Sequence, residues 1–183
     1  MAKVMVIFAD GLEEVEALTQ VDLLRRAGDE VTTVSIMDQL EVTSGDGITI
    51  RADAMFDDVD FTGSDLIVLP GGLGGTEQIE QHTGLKKVLL NQYQSGRQVA
   101  AICAAPRYFG ALGFVRGRRA VVYPGLEETL TGAEVQQAPA VTDGNVTTGH
   151  GPGAAADFGF ELVRVLHGEE AVKALKEEYV YPY

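Results

Sequence analysis

Four short apolar runs, at 3–8, 30–36, 65–69 and 99–102, recur along the chain with longer mixed segments between them. Runs of that length, rich in Val, Ile and Leu, read as strands, and the last two as strands buried on both faces. From Leu12 the period changes to that of a helix, with Val15, Leu18 and Val21 as its apolar positions and Gly28 closing it. Strand, helix and strand together occupy about 35 residues, the size and order of a right-handed parallel crossover. A second amphipathic helix is predicted over 83–95, where Leu85, Val88, Leu89 and Tyr93 fall at helical spacing before Gly96.

The remaining segments fit the same plan. Residues 40–43 and 48–51 flank the turn signal Ser44, Gly45, Asp46, Gly47, which predicts a small hairpin outside the main sheet. Helices are expected over 105–113, briefly near 127–130, over 154–166 and over 169–178. Residues 141–148 read as a hairpin or two short strands around Asp143, Gly144 and Asn145. The aromatic tail 179–183 is expected to pack on the body or on a partner chain. The succession predicts one α/β domain over 1–183, with a mainly parallel sheet and helices on both faces.

Candidate chemistry collects where strands end. The 99–102 run stops at Cys103, and Pro106 suits the first turn of the helix that follows. A strand-to-helix turn with Ala101 and Ala105 two positions to either side has the geometry of a nucleophile elbow, with sulfur in place of oxygen. A helix N-terminus there is expected to lower the thiol pKa. The local pattern describes a buried, inert cysteine equally well. The 65–69 strand ends in Pro70 and glycines through Gly75, read as a loop at a strand tip, where open α/β sheets place ligands. It lacks the Lys-Ser/Thr ending of a P-loop and the spacing of a dinucleotide fingerprint, so its N–H groups better suit an oxyanion formed at a neighbouring nucleophile. Glu13 and Glu14 cap the first helix, whereas Glu16 lies deeper, on the face of Leu12 and Gln20, and is expected to turn inward and hold its proton.

Composition narrows the function further. The 45% apolar content over 183 residues supports a sizeable core, and no apolar segment approaches the roughly 20 residues a membrane span requires. Without the features of a signal peptide at its start, the chain is expected to be cytoplasmic. A net charge of −13 argues against nucleic acid and anionic membranes as partners. Arg116, Arg118 and Arg119 are expected to form a solvated loop. A single cysteine forms neither an internal disulfide nor a Cys-based zinc site, and no metal or cofactor is expected.

Taken together, the segments 9–16, 22–28, 69–72, 100–106 and 151–153, followed by Asp157, Phe158 and Gly159, resemble the ThiJ/PfpI superfamily over essentially the whole chain. The branch is that of the parkinsonism-associated protein deglycase and its bacterial ThiJ-like relatives. The resemblance implies a flavodoxin-like three-layer sandwich and a homodimer. It assigns Cys103 as the reactive cysteine, Glu16 as its partner carboxyl, and the backbone N–H groups of Gly72 and Ala104 as oxyanion donors. Tyr123 stands before Pro124 where the parkinsonism-associated member has a histidine, so that cysteine–histidine pair is absent. Gly45 stands where that member has an arginine. By the same analogy Arg26 and the 44–47 turn lie near the partner's pocket. Ala104 replaces the histidine that follows the cysteine in the protease branch, which argues against proteolysis. His150, Tyr123 and Arg107 are candidates for shaping the pocket, while His82 and His167 are expected at the surface.

The implied activity is cofactor-free removal of α-oxoaldehydes or their glycated adducts, of glyoxalase III or deglycase type, with Cys103 as nucleophile. The alternatives are a stress sensor acting through oxidation of Cys103 and a chaperone-like dimer whose cysteine is structural.

Overall fold

The computed structural model describes residues 1–182. Strands β1 (Lys3–Phe8), β2 (Glu30–Ser35), β3 (Glu41–Thr43), β4 (Thr49–Arg51), β5 (Ala54–Met55), β6 (Leu66–Leu69) and β7 (Gln98–Ile102) are followed by β8 (Arg119–Ala120), β9 (Glu134–Val135), β10 (Ala140–Asp143) and β11 (Val146–Gly149). The helices are α1 (Glu14–Arg26), α2 (Leu73–Gln81), α3 (Thr83–Gln94), α4 (Pro106–Leu112), α5 (Ala155–His167) and α6 (Glu169–Glu178).

The main sheet has the order β10-β11-β7-β6-β1-β2-β5, parallel except for β10 against β11. Alternation along β1 shows why both faces are covered. Val4, Val6 and Phe8 join a cluster with Leu24, Phe158 and Leu162 of α1 and α5, while Met5 and Ile7 join Ile79, Leu89 and Phe109 of α2, α3 and α4. The result is an α/β/α sandwich. β3 and β4 pair apart from this sheet, as the turn signal predicts, and β10–β11 is the expected hairpin, with β11 docked on β7.

Several features depart from the expectations. The glycine loop is short, because α2 already begins at Leu73 and takes in Gly74 and Gly75. A Cβ on Gly75 would stand 2.9 Å from Leu12, so the glycines let the first turn of α2 lie on the turn before α1. Val15 and Leu18, expected in the core, are 50% and 43% exposed, and α1 instead buries Glu16, Ala17, Gln20, Val21, Leu23 and Leu24. His82 is half-buried and caps α3, its Nδ1 accepting from Leu85 N–H at 2.9 Å. His167 meets the side chain of Asp29 at 2.9 Å rather than standing free. Arg118 and Arg119 bind the backbone and carboxylate of Asp143 at the β10–β11 turn. The aromatic tail, by contrast, does pack on the body as expected, with Tyr179 and Tyr181 edge-on against Phe160; Tyr183 lies outside the described residues. Among the described residues no helix is long and apolar enough to cross a membrane.

Candidate active site at the strand switch point

From β1 the chain moves outward to β2, and later returns to the other side of β1 as β6 and β7. Strand order therefore reverses between β1 and β6, the position where open α/β sheets leave a crevice beyond their strand tips. The segments following β1, β6 and β7 meet there, and they carry Glu16, Gly71–Gly72 and Cys103 respectively.

Cys103 occupies the elbow with φ of 65°, a left-handed conformation that is unfavourable for a residue with a Cβ. Its backbone is held on both sides: the N–H donates to Gly149 O at 3.0 Å, and the C=O accepts from Tyr123 N–H at 2.8 Å. Next to it, Gly72 has φ of 85°. A Cβ on Gly71 would stand 2.4 Å from Glu16 Oε2 and 2.5 Å from Cys103 Cβ, so only glycine fits between the two side chains.

Glu16 is fully buried, and its Oε2 accepts from Gly71 N–H at 2.8 Å. Oε1 has no other partner, and the Cys103 thiol lies within hydrogen-bond reach of the carboxyl. Burial raises the Glu16 pKa to about 7, against opposing bonds from Cys103 and Gly71. Burial, followed by the charge of Glu16, pushes the Cys103 thiol up to about 12, although the N–H groups of Gly72 and Ala104 reach the sulfur and pull the other way. The donors at the elbow thus pull the thiol pKa down as the sequence suggests, but burial and the charge of Glu16 outweigh them. The carboxyl therefore titrates well before the thiol does.

A cavity of about 390 Å³ opens on the sulfur, walled by Glu13, Gly72, Leu73, Ala104, Tyr123, Pro124, Gly125, Leu126 and Pro152. Tyr123 lies in its wall. His150 does not; it lines a neighbouring groove that shares Tyr123, Pro124 and Pro152 with the cavity. Arg107 lines neither, because its guanidinium forms a two-bond pair with Glu80 of α2 at 2.8 and 2.9 Å. Glu13, which the sequence marks only as a helix cap, does cap α1, accepting from Val15 N–H at 3.3 Å, and also lines the cavity. Leu73 and Leu126 carry no signal beyond being apolar residues next to glycines. Glu13, Glu14 and Asp46 bring three carboxylates within 4.8 Å of one another, and nothing else at that cluster points to a cation.

Residues 2–165 match the model of the DJ-1/PfpI family. The chain is 38% identical over 170 residues to the Arabidopsis thaliana protein DJ-1 homolog B, covering 92% of this chain but 39% of that protein, so it spans well under half of that plant relative. It is 30% identical over 166 residues to a deglycase of Pyrococcus abyssi, covering 90% of this chain and 99% of the archaeal one. A structure described as Toxoplasma gondii DJ-1, oxidized, superposes with a TM-score of 0.96 at 31% identity, covering all of both chains. With the family model matching residues 2–165 and a solved relative superposing over the whole chain, the chain belongs to the DJ-1/PfpI family.

Proposed function

We propose that the protein converts small α-oxoaldehydes or their glycated adducts to 2-hydroxy acids, with Cys103 as nucleophile and Glu16 as proton carrier. The observation that carries this reading is a buried carboxyl with a pKa of about 7 against a thiol, at a cavity where two N–H groups converge on the sulfur. A carboxyl that titrates near neutral pH can both take and return a proton, which general acid–base work requires.

With methylglyoxal the steps balance without an external oxidant. Glu16 takes the thiol proton as sulfur adds to the aldehyde carbon, and the N–H groups of Gly72 and Ala104 hold the new oxyanion. Glu16 returns that proton to the oxygen, then removes the proton from the aldehyde carbon and delivers it to the neighbouring carbonyl carbon, while the hydroxyl proton on the first oxygen passes to the second oxygen. The first carbon is oxidised to a thioester and the second reduced to an alcohol. Water cleaves the thioester, giving lactate and the free thiol. A homodimer belongs to the same proposal; Val15, Leu18 and Ile48 leave apolar surface on α1 and on the hairpin hydrogen-bonded to the turn before it.

The test is methylglyoxal-to-lactate turnover by the purified protein. Cys103→Ser is expected to lower kcat/KM by on the order of 10³-fold or more, and Glu16→Gln by a comparable factor because the two act as a unit. Turnover of Cys103→Ser equal to wild type would end the proposal. A second reading is favoured by the oxidized state named for the Toxoplasma relative: the Glu16 carboxyl could donate to a Cys103 sulfinate. It predicts a two-oxygen mass increase after mild peroxide that is absent in Cys103→Ala.

A further inference from the structure

The groove beside the cysteine cavity has no part in the chemistry above. It is larger, about 560 Å³, and Tyr123, Pro124 and Pro152 form the wall common to both spaces. Ala138, Pro139 and Ala154 line it with apolar surface, and Gln137, His150 and Asp157 supply its polar side chains. Asp157 is the only formally charged residue among the lining residues described. Its Oδ1 accepts from Tyr181 O–H at 2.7 Å, which anchors the carboxylate in place.

His150 presents a defined face to this space. Its backbone N–H donates to Pro139 O at 3.0 Å, while its ring Nδ1 is buried without a partner. A buried N–H left unpaired costs more than a buried lone pair, so the tautomer with the proton on Nε2 is favoured. Nε2–H is then the donor left for a ligand. A donor from His150, an amide from Gln137 and a fixed carboxylate from Asp157 match a group that accepts one hydrogen bond and carries a cation or N–H. A three-carbon aldehyde held on Cys103 has no such group, but the amine half of an aldehyde–amine adduct does.

We infer that the His150–Gln137–Asp157 groove is a leaving-group subsite, which holds the amine half of an α-oxoaldehyde adduct while Cys103 acts on the other half. The inference rests on the nucleophile reading of Cys103. In the step it serves, a C–S bond to Cys103 forms as the C–N bond of the adduct breaks, and the amine leaves with the proton carried by Glu16. The product is the same hemithioacetal that the free aldehyde gives. Anionic thiol adducts are disfavoured in the same groove by Asp157.

The test labels Cys103 with two methanethiosulfonates of similar size, one with a trimethylammonium head and one with a sulfonate head. Each places its head beyond the sulfur, whatever the turnover of the protein. In wild type the cationic reagent is expected to react faster, and Asp157→Asn, which keeps an acceptor for Tyr181, to lower the cation-to-anion rate ratio by roughly three- to fivefold. Gln137→Glu, at an exposed position, is expected to raise that ratio by a similar factor. An unchanged ratio in both variants, or a fall only in Glu13→Gln on the cavity wall, overturns the subsite. Failure of Cys103 to react with either reagent overturns both the subsite and the nucleophile reading.

Discussion

Two strand-to-helix turns stand side by side at the switch point, one after β6 and one after β7, and they solve the same backbone problem differently. The first uses glycine at both of its central positions, and Gly72 enters the left-handed region at no steric cost. The second enters it at Cys103, at a cost of about 1–2 kcal/mol for a residue with a Cβ. The β6 turn needs glycine for a further reason: Glu16, Cys103 and the turn before α1 press on it from outside. The β7 turn is braced by Gly149 and Tyr123 through its own backbone and so holds a side chain in a strained place. One turn has given up its side chains to make room, and the other keeps one to present a sulfur.

That contrast can be broken by exchanging what each turn carries. Gly71→Ala is expected to have the largest effect, a loss of about 3 kcal/mol, because the new methyl meets Glu16 and Cys103 in a closed space. An unfolding free energy within about 1 kcal/mol of wild type, measured by denaturant unfolding, would mean the β6 turn is not constrained by its neighbours.

Next comes the pH dependence contributed by Glu16. Its folded pKa, about 7, lies above the ordinary carboxyl value of 4.5, so the folded state binds the proton more tightly. The stabilisation is complete below the unfolded value and is lost as pH rises toward 7, by roughly 3 kcal/mol in all. Denaturation at pH 5 and pH 8 is expected to show this fall in wild type and a flat profile in Glu16→Gln. A wild type as stable at pH 8 as at pH 5 would show the carboxyl is ionised in the fold without penalty.

Smallest is Cys103→Gly. Release of the backbone strain offsets the loss of a buried thiol, and the net change is expected to stay within about 1 kcal/mol. A loss of the Gly71→Ala size would show that the sulfur itself, rather than the bracing backbone, holds the β7 turn.

The sequence by itself determined the parts whose signal is local. Apolar runs bounded by turn residues mark β1, β2, β6 and β7, and the Ser44–Gly47 signal marks the separate hairpin, because periodicity and turn chemistry act over a few residues. The elbow at Cys103 and the inward Glu16 were legible for the same reason, from small flanking residues and from position on a helical face. The tertiary structure alone decided what depends on packing between distant segments. It made Gly74 and Gly75 part of a helix, by laying α2 against Leu12. It turned Arg107 to Glu80, away from the cavity, and set His150 in the adjoining groove. It also fixed the proton balance of Glu16 and Cys103, because the burial that raises both pKa values exists only where the ends of β1, β6 and β7 converge.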